Sequence, residues 1–259
     1  MGIQQSASTS TSPRCTMLRS LVDLVYPRTC LECVRLLERA ETDLCPDCRS
    51  RIRRVDPTSS QMRRAIENLS LGGVISDLVC LYAYTDDSPV RSVIHALKYR
   101  GMPSVGIRFG QELGATLRVL GICADLVVPI PLSVRRKRER GFNQASRIAE
   151  GVAKVTGIPV AERLVVRTRE SASQTGLPPE ARRQNVLDSF EAIRGAERRL
   201  ARRKCLLIDD VITTGSTVLE CASTLRRAGA QEVLACAVAL ACEQDTYKEG
   251  VREPHGLNT

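Results

Sequence analysis

Residues 205–230 read CLLIDDVITTGSTVLECASTLRRAGA. An apolar run ends in Asp209 and Asp210, small hydroxyl residues surround Gly215, and a helical pattern follows with Val218, Leu219, Ala222 and Leu225 on one face and Gly229 as its stop. The run KCLLI before the acids reads as a buried strand of a parallel sheet. Two adjacent carboxylates at the end of such a strand lose water and repel each other, so their presence calls for a use. In doubly wound sheets ligands bind at the carboxyl ends of the strands. Behind the acids, Thr213, Thr214, Gly215, Ser216 and Thr217 lead into the helix, whose unpaired N–H groups and positive end make a seat for phosphate. Gly215 lets the backbone come close, and the hydroxyls add donors. A phosphate seat beside paired acids suits a sugar phosphate, with the anion on the loop and the acids accepting from vicinal hydroxyls. Neither a GxxxxGK[ST] loop nor a GxGxxG loop is present.

Outward from this stretch, strand-like and helix-like segments alternate. DLVCLYAYT (77–85), DLVVPIPL (125–132), RLVVRT (163–168) and EVLACAVAL (232–240) read as strands. SPVRSVIHALKYRG (88–101) reads as a helix capped by Ser88, with Pro89 at its first position and Gly101 as its stop. Further helices are expected at about 104–120 and over NQASRIAEGVAKVTG (143–157). Such alternation predicts an α/β fold, a mostly parallel twisted sheet flanked by helices. Residues 1–13 read as a disordered Ser/Thr tail, 14–54 as a helix plus a cysteine module, 55–75 as a linker or exposed helix, 76–242 as the α/β domain and 243–259 as a C-terminal tail.

Eleven cysteines occur in 259 residues. Cys30, Cys33, Cys45 and Cys48 form two CxxC knuckles, the spacing that brings four thiolates to one tetrahedral zinc. Four sulfur ligands leave no open position, so this zinc is expected to be structural. The other cysteines lie mostly in apolar surroundings and read as small core residues of a reducing compartment. No apolar run approaches the roughly 20 residues of a membrane span, and the N-terminus lacks a secretion signal. A cytoplasmic protein with no membrane insertion is expected. Net charge is +9, and only five of the 38 basic residues are lysine. Arginine excess suits phosphate and carboxylate partners. Aromatics make up 3% of the chain and Trp is absent, which argues against a stacking platform for single strands.

LLIDDVITTGST (206–217) resembles the phosphoribosyl-pyrophosphate (PRPP) signature of type I phosphoribosyltransferases. HALKYRG (95–101), VVPIPLSVRRKRERGFNQASRIAEGVA (127–153), RTRESASQTGLPPEARRQNV (167–186) and the paired cysteines extend the resemblance to the ComF family. It covers roughly residues 17–242 and implies a type I phosphoribosyltransferase fold with a small N-terminal four-cysteine zinc module. By this resemblance Asp209 and Asp210 are the catalytic acids on the ribose diol, and Thr213–Thr217 hold the 5′-phosphate. Pro131 and Ser133 lie where the family holds diphosphate, and Lys98 is a candidate phosphate contact. The basic stretch ending in Arg140 fits diphosphate, a nucleic-acid backbone or a plain solvated loop. The polar segment with Gln174 corresponds to a loop that closes over the reacting centre. Many relatives carry a further cysteine pair where this chain reads SLGGV (70–74), so the resemblance supports the first metal site and not a second.

The reaction implied is displacement of pyrophosphate from C1 of Mg²⁺-bound PRPP by a nitrogen of an unidentified acceptor. Thr213 stands where relatives acting on 6-oxopurines carry an acid, which points away from hypoxanthine or guanine. The alternative is a non-catalytic PRPP sensor or scaffold in DNA uptake and natural competence. Single-stranded DNA, competence-machinery proteins and a second copy of the chain are the further candidate partners.

Overall fold

The computed structural model describes residues 27–70, 72–168 and 189–242. The expected N-terminal tail, the helix over 17–27, the loop carrying Gln174 and the C-terminal tail lie outside them. The chain divides into two compact units, Met1–Ser50 and Arg51–Thr259. In the first, the Cys30–Cys33 knuckle is a tight turn, and the second knuckle runs from Cys45 into α1 (Pro46–Ser50), which carries Cys48. Backbone bonds from Cys30 N to Arg35 O (2.7 Å) and from Leu31 N to Asp43 O (2.8 Å) fold the unit on itself.

The second unit is an α/β domain. Its elements are α2 (Ser60–Ser70), β1 (Asp77–Tyr84), α3 (Pro89–Tyr99), α4 (Pro103–Val119), β2 (Leu126–Pro129), α5 (Val134–Arg140), α6 (Gln144–Thr156), β3 (Val165–Arg167), β4 (Phe190–Ala192), α7 (Ala196–Leu200), β5 (Lys204–Ile212), α8 (Ser216–Arg227) and β6 (Glu232–Ala241). Four strands form a parallel sheet in the order β1-β6-β5-β2. The inner strand β6 is buried from Val233 to Leu240, as a parallel strand covered on both faces must be. One face of the sheet packs Cys80, Val128, Leu207 and Ala235 against Met62 and Leu69 of α2 and Cys221 and Leu225 of α8. The other carries α3, α4 and α6. Arg53–Val55 pair with the outer edge of β1, and Pro159–Ala161 with that of β2, so neither edge offers a long free ladder.

Several local signals act as expected. Ser88 Oγ caps α3 by accepting from Val90 N, Asn143 caps α6, and Gly157 ends α6 at φ 76°. Three expectations change. The stretch read as a linker or exposed helix contains α2, which buries Met62 and Leu69 in the core. The basic run after Ser133 is a helix, not a loop. RLVVRT does not join the parallel sheet: β3 pairs antiparallel with β4, and Thr168 N donates to Ser189 O (2.8 Å). A strand of three residues here takes the partner nearest in the chain rather than a more distant sheet edge. Among the cysteines outside the module, Cys80, Cys205, Cys221 and Cys236 are buried as expected, whereas Cys123 is exposed.

Candidate active site

The site begins where two neighbouring strands stop at different heights. β2 ends at Pro129 opposite Ile208, and its last contact is Ile130 N to Ile208 O (2.9 Å). Pro131 has no N–H to continue the ladder. β5 runs on through Asp209–Ile212, paired only with β6. The gap beside its carboxyl end opens into a cavity of about 280 Å³.

Asp209 and Asp210 form its acidic side. Asp209 Oδ1 accepts from Asp210 N (2.8 Å). Burial pushes the Asp209 carboxyl up to about 7, and the charge of Asp210 adds to the rise. The N–H of Asp210 and the charges of Lys98 and Arg167 oppose it. Asp210, 8% exposed, holds Lys98 Nζ at 3.1 Å through Oδ2. Lys98 reaches this point because Val93, Ile94 and Leu97 bury one face of α3 and leave the last turn beside the strand end.

Three arginines complete the wall: Arg136, Arg140 and Arg167. Arg140 is the last residue of α5, where Gly141 turns the chain at φ 76°. Its Nη1 donates to Gln144 Oε1 (3.0 Å), and its guanidinium lies 5.2 Å from the Tyr99 ring centroid. Asn143 Nδ2 donates to Ile130 O (2.9 Å) and pins the α5–α6 junction to the end of β2. Arg167 ends β3 and covers the Phe190 ring at 5.2 Å. Burial, then the charge of Arg136, pulls its pKa below the ordinary arginine value.

Thr217 of α8 also lines the cavity, while Thr213, Thr214 and Gly215 form the turn before α8 and Ser216 begins it, none of them on the wall. Gly215 adopts φ 75°, and a Cβ there would sit 2.5 Å from Leu69 Cδ2, so the tight turn requires glycine on both counts. Thr214 Oγ1 lies 3.0 Å from Ser216 Oγ. No side chain caps α8, whose first internal bond is Leu219 N to Gly215 O (2.9 Å). The preceding N–H groups are the unpaired donors of a helix start.

Of the residues expected at the site, Lys98, Pro131, Arg140, Asp209, Asp210 and Thr217 line one cavity. Ser133 lies outside the wall: it is buried and accepts from Arg136 N (3.3 Å) as the cap of α5. Arg136, Asn143, Gln144 and Arg167 line the cavity without having been singled out as site residues. The GFNQ turn and the arginine that ends an apolar strand, in the position the acids hold on β5, were the available signals. His95 is exposed, with its ring 4.7 Å from Tyr99.

In the N-terminal unit the sulfurs of Cys30, Cys33, Cys45 and Cys48 lie within 4.8 Å of one another. Cys33 Sγ is 3.7 Å from Cys45 Sγ. Tetrahedral zinc with bonds of about 2.3 Å sets its sulfurs about 3.8 Å apart, so the cluster has the size of such a site. Burial alone would raise the Cys30 thiol, but backbone N–H groups of Cys33, Cys45 and Glu32 help bring it down to about 6. Cys45 is lowered chiefly by the N–H of Cys48.

No helix among the described residues is long and apolar enough to cross a membrane. A family profile, Phosphoribosyl transferase domain, matches residues 139–252. The chain is 34% identical over 109 residues to Competence protein F of Haemophilus influenzae, covering 42% of this chain and 47% of that protein. It is 28% identical over 230 residues to DNA utilization protein YhgH of Salmonella typhimurium, covering 85% and 93%. To Competence protein ComFC of Bacillus subtilis it is 29% identical over 136 residues, 52% of each chain. The match thus spans about half the length of the Haemophilus and Bacillus relatives. With a parallel sheet open at the carboxyl end of β5 and a four-cysteine cluster, the chain carries a phosphoribosyltransferase-like domain over residues 139–252 and is similar to these competence and DNA-utilization proteins.

Proposed function

We propose that the cavity binds Mg²⁺–PRPP and that the protein transfers phosphoribose to a nitrogen acceptor with release of diphosphate. The observation that carries this reading is one cavity lined both by two acids and by four cations, Lys98, Arg136, Arg140 and Arg167, with Lys98 paired to Asp210. A ligand that satisfies both sets bears several negative charges and vicinal hydroxyls. Arg136 and Arg167 repel each other across the cavity, and a diphosphate between them relieves both. The open start of α8 takes the 5′-phosphate, and Asp209 and Asp210 accept from the ribose hydroxyls.

The acids offer the hard oxygen donors that Mg²⁺ prefers, so Asp209 and Asp210 fit a role in holding it together with the ligand. Bound there, Mg²⁺ supplies charge neutralisation on the diphosphate. The acceptor nitrogen forms a bond to C1 as the C1–O bond breaks, and diphosphate leaves with the electron pair. The arginines stabilise that departing charge, and the fixed strand end aligns the sugar. Isothermal calorimetry with Mg²⁺ and PRPP should show binding to the wild type and none to Asp209→Asn/Asp210→Asn. Equal heats from both proteins would sink the proposal.

A second reading has one observation in its favour: among the described residues no His or Glu lines the cavity to act as a base. On this reading the chain holds PRPP without turnover, as a sensor or scaffold in the DNA use that its relatives' names indicate. Diphosphate release across a nucleobase panel separates the two. Release that is lost in the double Asn variant supports the enzyme, and tight PRPP binding without release supports the sensor.

The N-terminal unit is proposed to hold one structural zinc through Cys30, Cys33, Cys45 and Cys48. Metal analysis of purified protein should find stoichiometric zinc in the wild type and a loss of it in Cys30→Ser. Full zinc in the variant would refute this assignment.

A further inference from the structure

We infer that Lys98 is an exchangeable counter-ion that keeps a lone divalent cation off Asp210 until an anionic ligand enters, so that metal and ligand are taken up together. This rests on the cavity being the seat of a phosphoribosyl diphosphate. The Lys98–Asp210 pair is 3.1 Å long, with side chains 22% and 12% exposed, and both residues face the cavity. Asp209 has one carboxylate oxygen engaged by Asp210 N. In the free chain each acid therefore has an oxygen already held inside the protein, and on Asp210 the holder is itself a cation. A metal ion approaching Asp210 alone meets that ammonium at close range.

A polyanion reverses the balance. Its oxygens enter the wall formed by Arg136, Arg140 and Arg167, within the same cavity as Lys98. The lysine stem is flexible and its charge compact, so Nζ can move from Asp210 to a phosphoryl oxygen while α3 stays in place. The Ser88 cap and the buried Val93, Ile94 and Leu97 anchor that helix. The exchange leaves the Asp210 oxygen free for the hydroxyls or the metal that arrive with the anion. Binding of the two is then coupled through one side chain, and each raises the affinity for the other by the same factor.

The test is Mn²⁺ binding to the full chain, followed by electron paramagnetic resonance, with and without inorganic diphosphate. Wild type should bind Mn²⁺ weakly alone and more tightly with diphosphate. Lys98→Met should bind Mn²⁺ alone at least about tenfold more tightly than wild type, since an opposite charge this close alters a carboxylate's cation affinity by about that factor or more. Diphosphate should then add little. Lys98→Arg keeps the charge and should keep metal binding weak. Lys98→Gln gives the same neutral comparison should the Met variant unfold. Unchanged or weaker Mn²⁺ binding in a folded neutral variant overturns the inference. If wild type still shows heat with Mg²⁺–PRPP in that case, the proposed function survives without it. If wild type shows none, the function fails and this inference falls with it.

Discussion

Gly151→Ala is expected to destabilise the protein although alanine is the better helix former. Gly151 lies inside α6 and Gly110 inside α4, and the two helices touch backbone to backbone there. A Cβ on Gly151 would lie 2.1 Å from Ile107 O and 2.8 Å from Gln111 N and Gly110 Cα. A Cβ on Gly110 would lie 2.0 Å from Ile148 O. These neighbours are backbone atoms, which cannot step aside as the end of a side chain can. Helix propensity favours alanine by about 1 kcal/mol, whereas overpacking of a tight core costs about 1–3 kcal/mol and more where relief requires the helices to separate. A net loss of about 2 kcal/mol corresponds to a fall in Tm of about 4–8 °C, and Gly151→Val should lose considerably more. Thermal unfolding of both variants checks this, and a rise in Tm for Gly151→Ala would contradict the close approach. Because α6 begins at Gln144 on the cavity wall, the separation should also weaken ligand binding.

Asp209→Asn should stabilise the fold at neutral pH while removing function. The folded Asp209 carboxyl is raised from 3.8 to about 7, so between those values the folded chain keeps a proton that the unfolded chain has released. By linkage this group's contribution to stability falls as pH rises through that window and then levels off above about 7. The rise corresponds to at most about 4 kcal/mol. Asparagine does not ionise, and its Oδ1 can still accept from Asp210 N. The variant should match wild type near pH 4 and exceed it by about 5–10 °C in Tm at pH 8. Equal Tm differences at the two pH values would show that Asp209 is not held in its raised state. A stabilising change that destroys binding is the mark of a residue kept for chemistry.

What could be read in the sequence was what short-range chemistry decides. The β5–loop–α8 unit announces itself through an apolar run, two misplaced acids, a glycine turn and a helical face, all contiguous in the chain. The caps Ser88 and Asn143 and the stop Gly157 act on their own helices, and the paired cysteines lie within one small unit. Each of these depends on spacing along the backbone, and spacing is visible in a single sequence.

Tertiary structure alone decided which charges meet the acids. Lys98 comes from α3, Arg140 from α5 and Arg167 from β3, and only the packing of those elements brings them to the end of β5. The residue types could not separate Ser133 as a ligand from Ser133 as a helix cap, because the same hydroxyl serves either role and its partner, Arg136 N, depends on α5 forming. β3 left the parallel sheet to pair antiparallel with β4, the next strand in the chain. Gly110 and Gly151, unfavourable inside helices taken singly, make sense only where two backbones meet. The local chain thus marked the glycine turn and the acids, and the fold brought the cations around them.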